Sequence, residues 1–525
     1  MHTMKKNMTF AVLFLAGAAS ALLQAAAVEP VTAADVHSAV TKAVPLLQHS
    51  QTQWFKTQTC ASCHHDAMPA VALMLARERG VKIDEEAARQ AFLKTFAWLT
   101  NPDQAIQGSE AIDPAMGDTY RMVAGHAAGY PRNTATAAIV RMLASRQSPD
   151  GRWRTLDVRP PQTGSEFTTT ALTVRSLQLY MPDELSEEKA ERVSRAKTWL
   201  ERQTPRSTED RTFQLLGMHW AGTAQDIRIN AAKALLAEQR PDGGWAQLTT
   251  RGSDAYATGE ALVALHLGGG IAVDHPAYKK GMRFLTGSQA PDGSWLVQSR
   301  IHDNAPVSPP YFETGFPHGK NQFVSASGTS WAVMALSPAL PKSNLKPFAV
   351  GAAEPAEPAW VRTALFGSAS ELGALRDKGL DPNSKTAQGT TVLMMAAAGA
   401  EKVKLLIDRG ADVNAKAKSG YTPLMVAASY GNSFEAARQL VAAGALVNMK
   451  GKDKTRMNAS PLAHAVVSGE SEKVRMLLAH GGSKSADHHF RYFSGNAFND
   501  GCWLRIRADH PGPGPRGRGS TCSRC

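Results

Sequence analysis

The chain has 525 residues, 43% of them hydrophobic and 20% charged, with a formal charge of +12 and five cysteines. At this length there is ample core to bury, and two cysteines share one short motif while three fall in a terminal tail, so a disulfide framework is excluded. Lys5 and Lys6 account for two of the charges and the tail from Lys484, seven basic against three acidic residues, for four; the remaining six are too dilute to mark a nucleic-acid binder.

Residues 1–27 read as a secretory signal: Lys5 and Lys6 open it, an apolar run follows, and Ala25-Ala26-Ala27 offers a cleavage site. The run is short and interrupted by Gly17 and Ser20, and no later stretch is long and apolar enough to span a bilayer. A periplasmic or secreted location is expected. Apolar spacing then predicts a first helical hairpin over 34–50 and 68–79, and a second over 85–99 and 120–128.

Inside the first hairpin lies Cys60-Ala61-Ser62-Cys63-His64, a CxxCH motif. Two thiols at this spacing add to the vinyl groups of haem, and the histidine after the second takes the iron from one side. One covalent haem c is expected, on Cys60 and Cys63, with His64 as proximal ligand. Two other uses stand beside it: a zinc site drawn from Cys60, Cys63, His64 or His65, for which no second CxxC or HxxxH lies nearby, and a buried pair without metal. His65 cannot reach the opposite haem face, so Met122, Met116 or His126 of the second hairpin are the candidate distal ligands. An open five-coordinate iron is the other option.

The middle of the chain repeats. Gln147-Ser148-Pro149-Asp150-Gly151-Arg152-Trp153 recurs from Gln239 to Trp245 and from Gln289 to Trp295, with a degenerate copy at Gln203-Thr204-Pro205. Each copy ends one helical pattern and precedes another, because Pro cannot continue the ladder and Gly tolerates the reversal. Four hairpins are predicted: 134–147 with 167–180, 188–203 with 211–221, 226–239 with 253–267, and 276–289 with 328–338. The Trp is expected to cover the junction while the Gln amide satisfies backbone groups at a helix end.

The Q-x-x-x-G-x-W pattern resembles the QW motifs of squalene–hopene cyclases and the related α/α toroids of protein prenyltransferase β subunits, over about residues 31–340. The resemblance implies six hairpins closed into an α/α toroid, with one helix of each facing inward and the CxxCH motif on its rim. It does not carry the activities. The DxDD acid motif is not found, and in Asp254-Ala255-Tyr256 a tyrosine stands where the prenyltransferase zinc thiolate would be. Asp254, Tyr256 and His318 remain as candidate catalytic residues. Thr168, Thr169, Thr329 and Ser330 join them as pocket-lining candidates, with helix capping as their alternative role. Loop 301–323, carrying His302, Asp303, Tyr311, Glu313 and His318, is expected to act as a lid.

From about Trp360 a second repeat begins. Gly389-Thr390-Thr391-Val392-Leu393 matches Gly420-Tyr421-Thr422-Pro423-Leu424, and Gly410-Ala411-Asp412-Val413-Asn414 matches Gly444-Ala445-Leu446-Val447-Asn448. This resembles ankyrin, with three clear repeats, a degenerate one near Thr363 and an insertion at 450–457. The expected organisation is all-α: a signal peptide at 1–27, toroid hairpins with the haem motif at 28–130, the QW-repeat toroid at 131–340, a linker at 341–358, an ankyrin solenoid at 359–484, and a disordered, frameshift-like tail at 485–525. Electron transfer or redox or gas sensing is the expected role, with a redox partner and a protein partner recruited by the ankyrin repeats. An enzyme with an apolar, terpenoid-like substrate in the toroid and a haem-free interaction module are the alternatives.

Overall fold

The computed structural model describes residues 30–57, 62–97, 100–107, 114–155, 159–301, 313–351, 357–452 and 460–483. The signal segment, the tail, Cys60, His302, Asp303 and Tyr311 lie outside them. The protein is all-α: the described residues form 21 α-helices and no strand.

The first twelve long elements alternate between two sets, and the expected pairs pack together except the second, whose outer helix lies on the first outer helix instead. Outer helices α1 (Ala33–Thr57), α3 (Glu85–Thr95), α6 (Thr134–Ser145), α8 (Ser186–Arg202), α10 (Gln225–Leu236) and α12 (Pro276–Ser288) alternate with inner helices α2 (Met68–Glu78), α5 (Pro114–Ala127), α7 (Glu166–Tyr180), α9 (Thr208–Trp220), α11 (Ala255–Leu267) and α13 (Gln322–Leu336); a short α4 (Pro102–Gln107) precedes α5. Each inner helix packs on the next, and α13 packs back on α2, so the contacts run in a closed circuit. The two sets differ in pattern for this reason. Every residue of α13 is buried, whereas α8 buries four of seventeen, as helices surrounded by protein and helices half in water must.

The repeated Gln and Trp are the fasteners between hairpins. Gln147 Nε2 donates to Gly151 O in its own turn and to Arg192 O in α8, both at 2.8 Å. Gln239 does the same to Gly243 O and to Ala277 O in α12, at 2.8 and 2.7 Å. Gln289 donates to Gly293 O and to Ala39 O in α1, both at 2.9 Å, and thereby ties the last hairpin to the first. Trp153, Trp245 and Trp295 are buried, with each indole N–H donating to the last turn of the preceding helix: Leu143 O, Leu235 O and Leu285 O at 2.7–2.8 Å. The turn glycines Gly151, Gly243 and Gly293 have φ of 102°, 88° and 92°, a region costly for a side chain. At the degenerate copy, Gln214 Nε2 takes over by donating to Leu200 O and Gln203 O. Helix α13 starts at Gln322 rather than 328, so Thr329 lies inside it, its Oγ1 accepting the Trp295 backbone N–H at 3.2 Å.

The stretch expected as a linker is fastened down over residues 341–351. Ser343 N–H donates to Glu78 O, Arg77 and Arg89 donate to Lys346 O and Ala349 O, and Val350 N–H reaches Ala128 O. Phe348 is buried beneath the Arg77 and Arg89 guanidinium groups, edge-on to Phe92. Four helix pairs follow: α14 (Trp360–Phe366) with α15 (Ala369–Asp377), α16 (Val392–Ala396) with α17 (Ala400–Ile407), α18 (Pro423–Ser429) with α19 (Phe434–Ala442), and α20 (Pro461–Ser468) with α21 (Ser471–Ala479). An asparagine ladder sets their register. The Asn383, Asn414 and Asn448 amides donate to Gly410 O, Gly444 O and Gly481 O of the next repeat, and their Oδ1 atoms accept from Asp412, Leu446 and Ser483 N–H. Buried Lys402 and Lys473 cap the carbonyl ends of the preceding first helices, and burial pulls their ammonium groups down to about 7 and about 8.

This array is docked on the ring by the face that carries its first helices. Arg141 of α6 donates to Leu365 O and Arg146 to Ser429 O, so two guanidinium groups sit at the negative ends of α14 and α18. Gln107 and Asp103 of α4 bond Thr390, Ser419 and Thr386 on two finger loops at 2.5–2.7 Å. Gly431 N–H donates to Ser145 Oγ at 2.9 Å, and a Cβ on Gly431 would overlap the Ser145 carbonyl. Its backbone is outside the left-handed region, so Gly431→Val strains the docking contact alone. This variant is expected to keep full helicity yet become cleavable by trypsin near Arg141 and Arg146. Unchanged protection would mean that the contact does not hold the array.

Candidate functional site

Residues 63–67 of the CxxCH segment form one turn of π-helix that leads into α2, wedged among α1, α2, α5 and α13. Ser62, in an extended conformation, starts it: its Oγ accepts from the His64 and His65 backbone N–H groups, and its own N–H donates to Asp66 Oδ2 at 2.6 Å. Cys63 is half-buried. His64 is buried, edge-on to Trp54 and Phe323, with Nδ1 bonded to Ser62 Oγ at 3.0 Å. His65 stacks on Trp54, with Nδ1 bonded to Ser50 Oγ at 2.5 Å and no partner for Nε2 among the described residues. Burial pushes both imidazoles down, His65 to about 3, which keeps them neutral.

The motif fits covalent haem in its ligand chemistry. Nδ1 of His64 is hydrogen-bonded to Ser62 Oγ, which orients the ring so that Nε2 would be the atom turned to an iron. A neutral imidazole is the form that binds metal. Among the described residues no three His, Cys, Asp or Glu side chains converge as a metal cluster. The three candidate distal ligands all lie on α5, which packs on the motif. Met116 Sδ accepts from Thr169 Oγ1 at 2.9 Å, Met122 is fully buried, and His126 lies near Arg175 with its imidazole pushed down by burial.

Opposite the motif is a feature the sequence reading did not assign. Glu209, at the start of α9, and Glu260, inside α11, are buried within the circuit of inner helices. Thr168 Oγ1 donates to Glu209 Oε1 at 2.6 Å and the Tyr256 hydroxyl to Glu209 Oε2 at 3.0 Å. Among the described residues neither Glu260 oxygen has a hydrogen-bond partner, and the Glu209 carboxylate is the nearest charge acting on it. Burial raises Glu209 to about 7; burial, and then the charge of Glu209, raises Glu260 well above the carboxylate range. Tyr120 connects the two features. Its hydroxyl is pushed up by burial and by the charges of Glu209, Cys63 and Glu260 together, so the motif and the acid pair face one interior.

The other candidates fall into two groups. Tyr256 and Thr168 serve the acid pair, as above. Asp254 caps α11, Oδ1 accepting from Ala257 N–H at 2.9 Å, while Gln247 donates to Oδ2, and burial lifts it to about 6. Ser330 Oγ donates within its own helix to Ala326 O. His318 sits at φ 84° with Nε2 on Ser294 Oγ at 2.8 Å, beside the third Trp turn. Glu313 is exposed and accepts from Gly315 N–H. Glu260 had a legible signal, a lone carboxylate in an apolar helix; Glu209 did not, because an acid in a first helical turn looks like a dipole partner.

The family model for Ankyrin repeats (3 copies) matches residues 362–451. No curated protein matches the chain. Ankyrin repeats imply protein partners, and among the described residues no helix is long and apolar enough to cross a membrane.

Proposed function

We propose that this is an exported c-type haem protein in which an α/α toroid carries the haem and an ankyrin array binds protein, acting in electron transfer or redox sensing. The observation that carries the haem reading is the CxxCH sequence with His64 buried and its Nδ1 held by Ser62. The closed circuit of six inner helices and the Gln and Trp fasteners support the toroid reading. Haem bound here supplies one-electron chemistry. The chain's own residues would attach it through Cys60 and Cys63, orient the ligand through Ser62, and exclude water with Trp54 and Phe323. Glu209 and Glu260 are buried within the same ring of helices.

Haem staining after denaturing electrophoresis of protein matured in the periplasm tests this. Cys60→Ala or Cys63→Ala is expected to weaken the stain and the double change to abolish it. His64→Ala is expected to keep the stain but shift the visible spectrum. An unstained wild-type band ends the haem reading. The buried acid pair favours a second reading, an enzyme with an apolar substrate inside the ring. A low-spin spectrum supports electron transfer, and a high-spin one with an open iron position supports gas binding or catalysis.

A further inference from the structure

With the first-helix face of the ankyrin array closed by α4 and α6, the outer edge of the finger loops stays open to another molecule. That edge is basic. Lys385, Lys416 and Lys450 each follow a ladder asparagine by two residues, so the bonds from Asn383, Asn414 and Asn448 bring them to equivalent places in three successive repeats. Lys418 and Lys452 extend the row, and backbone bonds fix them across the loops: Lys418 N–H donates to Gln388 O at 2.9 Å and Lys452 N–H to Ser419 O at 2.6 Å. All five lysines are exposed, and no Asp or Glu occurs in 382–391, 413–421 or 446–452.

We propose that this lysine edge is the recruiting surface of the chain and that its partner is an acidic segment of another protein. Five cations in a fixed row complement a polypeptide with repeated carboxylates. The loops offer ammonium groups, with no arginine fork and with Tyr421 buried, so they lack the bidentate and stacking contacts that nucleic acids use. The inference rests on the ankyrin array as a protein-binding surface and is independent of haem, which the stain scores separately.

The test is fluorescence anisotropy with a labelled oligo-glutamate peptide and the full-length mature protein. Binding is expected, weakening as salt rises. Replacing Lys385, Lys416, Lys418, Lys450 and Lys452 by Gln is expected to cost about tenfold or more in affinity, with the circular dichroism unchanged. A control set of five other exposed lysines, Lys42, Lys82, Lys233, Lys279 and Lys280 changed to Gln, removes the same charge and is expected to leave affinity within about twofold. Equal losses in both sets, no binding by the wild type, or tighter binding of a single-stranded oligonucleotide of equal charge would each overturn the proposal.

Discussion

Alanine at Trp153, Trp245 or Trp295 is expected to destabilise the ring by about 3–5 kcal/mol, the largest effect of any single substitution outside the CxxCH motif. Each indole is fully desolvated at the junction of two hairpins. Truncation leaves a cavity and strips a buried carbonyl, Leu143 O, Leu235 O or Leu285 O, of its donor. Trp295 should be the most sensitive, because its turn also fixes Gln289 on Ala39, the bond that ties the sixth hairpin to the first. Trp220 is only half-buried, so Trp220→Ala serves as a control of the same size and is expected to cost far less. Calorimetric melting of the four variants gives the comparison. Three staples no more sensitive than Trp220 would remove the fastener role.

The second large effect is on pH. A carboxyl whose folded value lies above its unfolded value stabilises the fold fully below the unfolded value, and that stability is lost as pH rises through the folded one. For Glu209 the window runs from its ordinary 4.5 to about 7, which corresponds to about 3 kcal/mol, and Glu260 is raised in the same direction. The protein is therefore expected to melt higher at pH 5 than at pH 8. Glu260→Gln keeps the shape and removes the second acid beside Glu209. It should flatten that dependence and melt above wild type at pH 8. Identical wild-type melting at the two pH values would mean that the carboxyl groups are not held in contact.

The Pro-Asp-Gly-x-Trp turns, the paired helices around them, the ankyrin repeats and the CxxCH motif were all legible in the sequence, because each is set by neighbours within one or two helical turns. Pro-Asp-Gly in succession stops a helix where a lone Pro45 in α1 or Gly259 in α11 does not, and the asparagine at the end of each ankyrin repeat bonds to the next repeat. Helix starts were less legible: α13 begins six residues before 328, and Thr329, which resembles a cap, lies inside the helix with its Oγ1 on the Trp295 backbone N–H.

Tertiary structure alone decided the rest. Ring closure depends on Gln289 meeting Ala39, 250 residues away, and nothing local distinguishes that glutamine from its two counterparts. The segment after Pro341 has the composition of a linker, yet Phe348 finds cover between Arg77 and Arg89 and becomes part of the ring. Arg141 and Arg146 read as ordinary helix-surface charges until the ends of α14 and α18 arrive opposite them. Glu209 and Glu260 hold on to their protons only because α9 and α11 bring them together out of water. A side chain's local sequence fixes the helix it stands on, but its charge state depends on what faces it once solvent is gone.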